Sequence, residues 1–412
     1  KAAADTAKTA AEGALAAQNL AITNAGFIDA ADLIAQHAAL VAPVSQALTT
    51  GTDNFAGGAG SDAFTGVFGT GATLTAADTI IDASLVDSDT LTLTGAAFGN
   101  FADTSTATFT NIETVNIIFD TLTNATIDSA GITSSATMNA SNVRAGSGAS
   151  LTVTNIADGS TLNISDFNTV TNATADAGGD LTLNANAATG SVTGTVSTDG
   201  VLIVNAAAAT GAVRGDSATG NVTINGAAAT VLTANSTSGD ILLTGAANAN
   251  VDAVSTAAGD ITVITPAALD VVASTTGAGT VIASGEGDTA MTVTARTSTV
   301  TLSNITAADA TVTATGTGAG VESDTLNVTS GDGFTIVNQA ADAVETINVT
   351  GTAAIEATVT TTAATAYSGD SNVTFVGDHA LFHTAAITGG ATLEINAMNL
   401  PTDVSKATGT IE

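Results

Sequence analysis

Short apolar runs return along this chain at a fixed interval. Strand-like runs open at Leu181, Val201, Val222, Ile241, Ile261 and Val281, which sets a period of about 20 residues. The turn chemistry keeps the same period: Gly179 and Asp180, Asp199 and Gly200, Gly220 and Asn221, Gly239 and Asp240, Gly259 and Asp260, Gly279 and Thr280 stand just before those runs. About ten residues later each repeat carries a second short run, at 191–193, 211–213, 231–233, 251–253, 271–273 and 291–293. Two strands and two turns per repeat are what a flattened parallel β-helix requires, each turn of chain pairing with the next about 4.8 Å away.

Alternation within Leu181-Thr182-Leu183-Asn184, Val222-Thr223-Ile224-Asn225 and Ile261-Thr262-Val263-Ile264 sends every second side chain inward. Val222 and Ile261 are then core positions, and Thr223 and Thr262 face out. The alanines at 206–209 and 227–229 suit a narrow interior. Toward the C-terminus the runs at Leu326, Ile347, Val373 and Leu393 continue the pattern with longer turns. Residues 90–400 would supply roughly 15 turns, a rod on the order of 70 Å long.

Residues 1–48 read differently, as a short α-helical segment. Alanine is dense, and Leu15, Asn19 and Ile22, then Leu33, Ile34, Ala38 and Val41, predict two helices separated by residues 24–29, with Asp29 capping the second and Pro43 near its end. The fold class expected is mainly β: a parallel β-helix or β-solenoid of about 20 residues per turn behind that helical segment. Its divisions are 1–48, a Gly-rich and acidic start at 49–90, and the solenoid proper at 91–412.

Charge narrows the partners. With 38 Asp and Glu against 6 Lys and Arg the net charge is -32, so nucleic acid and anionic lipid would be repelled. Carboxylates gathered around Ca²⁺ are the usual remedy for such self-repulsion outside cells. There is no Cys, and stability must come from packing, metal or assembly. No run of about 18 apolar residues predicts a membrane-spanning helix. A chain that opens at Lys1 without Met reads as a processed or partial piece of something longer, with any export signal outside these residues.

The most specific segment is 57–64. Gly57, Gly58, Gly60, Asp62 and Phe64 fit the calcium nonapeptide G-G-x-G-x-D-x-hydrophobic, in which glycine permits the tight turn and the Asp carboxylate reaches the ion. Asp53 and Phe55 stand nine residues before Asp62 and Phe64, one half-turn earlier. Asp78, Asp82, Asp87 and Asp89 are candidate further ligands. The alternatives are a Gly-rich turn without an ion and a solvated acidic loop.

On these residues, on the opening phrase at 47–55, and on Ile112-Glu113-Thr114-Val115-Asn116-Ile117 returning as Val344-Glu345-Thr346-Ile347-Asn348-Val349, the chain resembles the RTX-type surface-layer (S-layer) proteins of Gram-negative bacteria. One good nonapeptide match stands here, where that family carries several in tandem. The resemblance implies type I secretion, folding on calcium outside the cell, and β-solenoid subunits that tile the bacterial surface. Partners would be copies of the chain itself in a lattice or filament, and cell-surface polysaccharide.

Other features are weaker. The Gly-Asp turns at 179–180, 239–240, 259–260 and 331–332 form either a ladder of cation sites or turns capped by local hydrogen bonds. His379 and His383 beside Asp378 have a Zn²⁺-like spacing without the Glu of H-E-x-x-H. Asn139, Asn163, Asn221 and Asn372 match N-glycosylation sequons that abundant Asn and Thr also produce by chance. A polysaccharide-degrading β-helix would need a basic residue and aromatic platforms beside its carboxylates. Arg214 and Arg296 stand about four turns apart, roughly 19 Å along the rod, Arg144 is further off, Tyr367 is the only Tyr and Trp is absent. The expectation is therefore a structural, non-enzymatic protein of a surface layer, with a filament or biofilm-matrix protein and an adhesin as alternatives.

Overall fold

The computed structural model describes residues 6, 8–16, 34 and 42–411, apart from 85–86, 97–99, 102–106, 135, 145–147, 176–178 and a set of inter-strand segments between 246 and 409. The chain is a parallel β-solenoid built on two long sheets. Among the described residues seventeen strands make the first, from Ser45–Ala47 through Leu181–Asn184 to Ala386–Gly389, and sixteen make the second, from Asn100–Phe101 through Val192–Val196 to Thr410–Ile411. Each strand bonds to the one a turn later: Leu181 opposes Leu202, Leu202 opposes Val222, Val222 opposes Ile241, and Ile241 opposes Ile261. A turn takes about 21 residues, close to the period of the apolar runs. The second runs fall on second-sheet strands, with Ser191 and Gly211 just before theirs.

Burial follows the alternation. Leu181, Leu183, Val222, Ile224, Ile261 and Val263 are buried, while Thr182, Thr223 and Thr262 lie on the outer face. Val201 departs by one residue: it is exposed, and the strand Leu202–Asn205 points Leu202 and Val204 inward. The cause is a column of glycines. A Cβ on Gly200 would overlap Gly179 O, and the same clash recurs from Gly220 to Gly200, Gly239 to Gly220 and Gly259 to Gly239. Turns stack there with no room for a side chain. Gly200 aligns with Gly179, so Val201 takes the place of Asp180 in the exposed turn, and its N–H donates to Asp180 Oδ1 at 2.7 Å. Among the alanines, Ala206, Ala209 and Ala229 face the core, whereas Ala207, Ala227 and Ala228 are exposed.

On the outer face of the first sheet runs an asparagine ladder. Asn139 Nδ2 donates to Asn116 Oδ1, Asn163 to Asn139, Asn184 to Asn163 and Asn205 to Asn184, each at 2.8 Å, and Asn225 to Asn205 at 2.7 Å. Identical amides one strand spacing apart satisfy one another in this way. Each such bond contributes about 0.5–1.5 kcal/mol. Asn139 and Asn163 are thereby engaged between turns, as are Asn221, which accepts from the Asp240 N–H, and Asn372, which donates to Gly351 O.

The N-terminal segment is helical at residues 6, 8–16 and 34, with Leu15 and Ile34 exposed and a Lys8–Glu12 ion pair at 3.8 Å. Asn19, Ile22, Asp29, Leu33, Ala38 and Val41 lie outside the described residues. Ser45–Ala47 pairs with Ala63–Gly69 and Leu48 is buried, so the solenoid begins inside the stretch 1–48 that the sequence assigned to helix. Strand alternation over three residues is too short to register against the alanine-rich background.

At this end a third sheet is added, Asn54–Ala56, Thr79–Ile81 and Thr108–Thr110, in which Phe55 opposes Ile80 and Ile80 opposes Phe109. It widens the interior, and phenylalanine fills the extra volume: Phe55 and Phe64 stack at 6.3 Å, and Phe119 meets Phe68 at 5.1 Å and Phe167 at 5.6 Å. Near the other end Tyr367 packs edge-on against Phe375 and Phe382.

Candidate metal site

The connection from Asn54–Ala56 to Ala63–Gly69 contains Gly57, Gly58, Gly60 and Asp62. Gly57 N–H donates to Ile81 O at 3.0 Å, which pulls this loop against the next turn. A Cβ on Gly57 would overlap Asp82 Oδ1 and lie 2.7 Å from Asp62 Oδ2. Glycine is needed there for close approach. Gly58 N–H donates to Asp62 Oδ2 at 2.5 Å, and Gly60 lies in the bend that follows.

Three successive turns place a carboxylate immediately before a first-sheet strand: Asp62 before Ala63–Gly69, Asp89 before Thr90–Ala96, and Glu113 before Thr114–Phe119. Each carboxylate reaches back to the backbone of the preceding turn. Val44 N–H donates to Asp62 Oδ1 at 2.5 Å, Asp62 N–H to Asp89 Oδ1 at 2.7 Å, and Asp89 N–H to Glu113 Oε2 at 2.7 Å. Asp82, whose Oδ2 accepts from the Ser84 N–H, points into the same space.

One oxygen from each of Asp62, Asp82 and Asp89 lies within 4.8 Å of the others. Oxygens that share one Ca²⁺ at about 2.4 Å are separated by at most about this distance. All three residues are almost fully buried, yet Asp82 Oδ1 and Asp89 Oδ2 have no hydrogen-bond partner among the described residues. A buried carboxylate oxygen without a partner is costly, and a hard cation supplies what is missing. An all-carboxylate donor set suits Ca²⁺ rather than zinc or copper.

The charges report the same crowding. Burial raises Asp82 above its usual range against the lowering effect of the Ser84 N–H, and neighbouring Asp87 and Asp62 raise it further. Burial likewise pushes Asp89 up to about 6, opposed by the hydrogen bond from Asp62 N–H and aided by Asp82, Asp87 and Asp62. Without a cation, folded protein then holds a proton on Asp89 more tightly than unfolded chain, whose carboxyl titrates near 3.8. That contribution to stability is fully present below the unfolded value and is lost as pH rises through about 6. In EGTA, lowering the pH from neutral to about 5 is expected to raise the melting temperature of the head, and Asp89→Asn should flatten that slope. With Ca²⁺ bound the trend reverses, because protons compete with the ion.

Asp53 and Asp78 lie apart from this cluster. Asp53 Oδ2 accepts from Thr49 N–H at 2.6 Å, and Asp53 N–H donates to Asp78 Oδ1 at 2.9 Å. Asp78 also accepts from Thr75 N–H at 2.7 Å and from its hydroxyl at 2.9 Å. Both are occupied in holding turns. The fold therefore brings together Gly57, Gly58, Asp62, Asp82, Asp87 and Asp89 of the sequence-derived candidates, adds Glu113, and leaves Asp53 and Asp78 as turn residues. Placement just before a strand in consecutive turns is the signal that marks Glu113.

The remaining candidates resolve more simply. Asp180, Asp240 and their neighbours in the exposed turns hydrogen-bond between turns: Asp180 N–H donates to Asp158 Oδ1 at 2.9 Å and Asp260 N–H to Asp240 Oδ1 at 3.0 Å. The Gly331-Asp332 turn and His383 lie outside the described residues, and His379 opens the short helix His379–Phe382. Arg144 pairs with Asp120 and Arg214 with Asp216; Arg296 lies outside the described residues. Tyr367 is fully buried, and burial pushes its hydroxyl up to about 12. Among the described residues no helix is long and apolar enough to cross a membrane. Neither a family model, nor a curated protein, nor a solved structure matches this chain.

Proposed function

We propose that this chain is a calcium-stabilised structural subunit of an extracellular array on a bacterial cell surface, a surface layer in form, assembled from copies of itself. The observation that carries the reading is the buried carboxylate cluster of Asp62, Asp82 and Asp89, with two oxygens lacking partners. Such a head is stable where a divalent cation is plentiful, and calcium at about millimolar levels is a property of the outside of the cell. The resemblance of residues 57–64 to the RTX nonapeptide points the same way.

The rest of the rod supports a scaffold rather than catalysis. Its faces repeat one polar pattern over many turns, Arg144 and Arg214 are each tied to a neighbouring Asp, and Tyr367 is enclosed in the core, where it cannot stack on a sugar. A filament is the second reading. Among the described residues Ser45–Ala47 pairs on one side only, and an open strand edge favours end-to-end contact. Cell-surface polysaccharide is the proposed anchor.

Refolded protein should be compared in excess EGTA and in about millimolar Ca²⁺ by thermal melting and by electron microscopy. Calcium is expected to raise the melting temperature and to convert dispersed rods into sheets, or into filaments if the second reading holds. Identical melting and identical dispersion in both conditions would overturn the proposal. Turnover of an acidic polysaccharide would overturn its non-enzymatic part.

A further inference from the structure

We propose a second cation site adjoining the first, formed by Asp87, Asp89 and Glu113, so that the head of the solenoid binds a pair of divalent cations bridged by the Asp89 carboxylate. This rests on the reading that Asp62, Asp82 and Asp89 hold a first cation. One oxygen from each of Asp87, Asp89 and Glu113 lies within 4.8 Å of the others, and Asp89 belongs to both groups. Asp89 is 0% exposed with Oδ2 unpartnered, and both Asp87 oxygens are shut off from solvent without a hydrogen-bond partner. Orphaned oxygens thus occur in both groups, on Asp82 in the first and on Asp87 in the second, and Asp89 is common to the two.

Charge decides between one ion and two. Five carboxylates meet here, from Asp62, Asp82, Asp87, Asp89 and Glu113. A single divalent cation leaves three negative charges uncompensated among carboxylates of which Asp62, Asp82 and Asp89 are buried and Asp87 and Glu113 half-buried; a second leaves one. Uncompensated buried charge is costly enough that one residual charge is the tolerable state. Glu113 is already placed for the task, because Asp89 N–H holds its Oε2 at 2.7 Å. The first ion joins the Asp62 turn to the Asp89 turn, and the second joins the Asp89 turn to the Glu113 turn. Together they would fasten three consecutive turns at the end of the rod, where stacking neighbours are fewest.

The test uses the full chain, with Ca²⁺ bound per chain measured by equilibrium dialysis, and with Tb³⁺ and Eu³⁺ loaded together so that energy transfer reports two adjoining ions. Glu113→Gln keeps an oxygen to accept from Asp89 N–H, so strand content by circular dichroism should be unchanged. It is expected to lose one bound Ca²⁺ relative to wild type, or to weaken that one by about tenfold or more, and to abolish Tb³⁺-to-Eu³⁺ transfer while Tb³⁺ emission persists. Asp89→Asn is expected to lose both ions. If Glu113→Gln binds as much Ca²⁺ as wild type, with transfer intact, while Asp62→Asn loses an ion, the second site is wrong and the first stands. If wild type binds no Ca²⁺, both readings fail together. A Glu113→Gln chain that misfolds is replaced by Asp87→Asn, which carries none of the backbone contacts and is held to the same loss of one ion and of transfer.

Discussion

Val222→Asp is expected to unfold several neighbouring turns together, while Thr223→Asp one position away leaves the melt nearly unchanged. Val222 is fully buried and lies in register between Leu202 and Ile241, so a carboxylate there has aliphatic side chains on the turns before and after it. An unpaired carboxylate in such a place costs several kcal/mol unless it takes up a proton. In a stacked repeat that cost is shared by the two interfaces the turn makes, and loss of one turn removes the template for the next. Thr223 sits on the outer face between Ile203 and Leu242, where a surface substitution normally changes stability by about 0.5 kcal/mol or less. Hydrogen exchange resolves the comparison: protection should fall across the strands flanking Val222 in the first variant and stay intact in the second. Equal loss in the two would show that the inward and outward faces are wrongly assigned.

The parts of the fold legible in the sequence are those in which each turn faces the same physical constraint as the last. Inward Leu181, Leu183, Val222 and Ile224 must be apolar because the space between the sheets is closed, and Gly200, Gly220, Gly239 and Gly259 must be glycine because the preceding carbonyl occupies the site of a Cβ. Both constraints repeat with the turn and show as a period. Val201 falls one residue before its strand because the pair Asp199-Gly200 inverts the Gly-Asp order, and only the stacking of Gly200 on Gly179 fixes the register. The asparagine ladder left a readable trace, since Asn184, Asn205 and Asn225 each end a run, but its meaning needs the pairing of strands. The third sheet left almost none: its strands are three residues long.

At the candidate site, the nonapeptide spacing marks the loop and Asp62, while Asp82, Asp87 and Asp89 stand out only as carboxylates that follow it. Asp53 repeats the position of Asp62 at half a turn, yet the N–H and hydroxyl of Thr49 donate to its carboxylate and the third sheet follows it, so that its carboxylate closes a turn. The first turn is 18 residues long, from Val44 to Asp62, and the next two are 27 and 24. Those unequal lengths hide from a fixed period the fact that Asp62, Asp89 and Glu113 occupy one column.

Gly57→Ala is expected to remove the share of the calcium response that the first ion supplies, with little change in the calcium-free protein beyond the cost of moving one loop. The methyl group would occupy the space of Asp82 Oδ1 and press within 2.7 Å of Asp62 Oδ2, so the two carboxylates must part and their oxygens leave the 4.8 Å group they form with Asp89. A flexible carboxylate can swing away, which is why the chain should still fold; it cannot swing away and also meet the ion. Ca²⁺ binds folded turns in preference to unfolded chain, and the gain in stability grows with ion concentration over the dissociation constant, reaching about 2.7 kcal/mol at a hundredfold excess. Wild type should therefore melt higher with each increment of Ca²⁺, and Gly57→Ala should show a smaller rise, limited to what the second ion at Asp87, Asp89 and Glu113 supplies. Mg²⁺ should substitute poorly in wild type, since it holds its water and demands a tighter octahedron than carboxylates spaced for a larger ion. A Gly57→Ala chain that keeps the full calcium-dependent rise in melting temperature would move the stabilising ion away from the Asp62, Asp82 and Asp89 cluster, because no cation can share those oxygens once the methyl group stands between them.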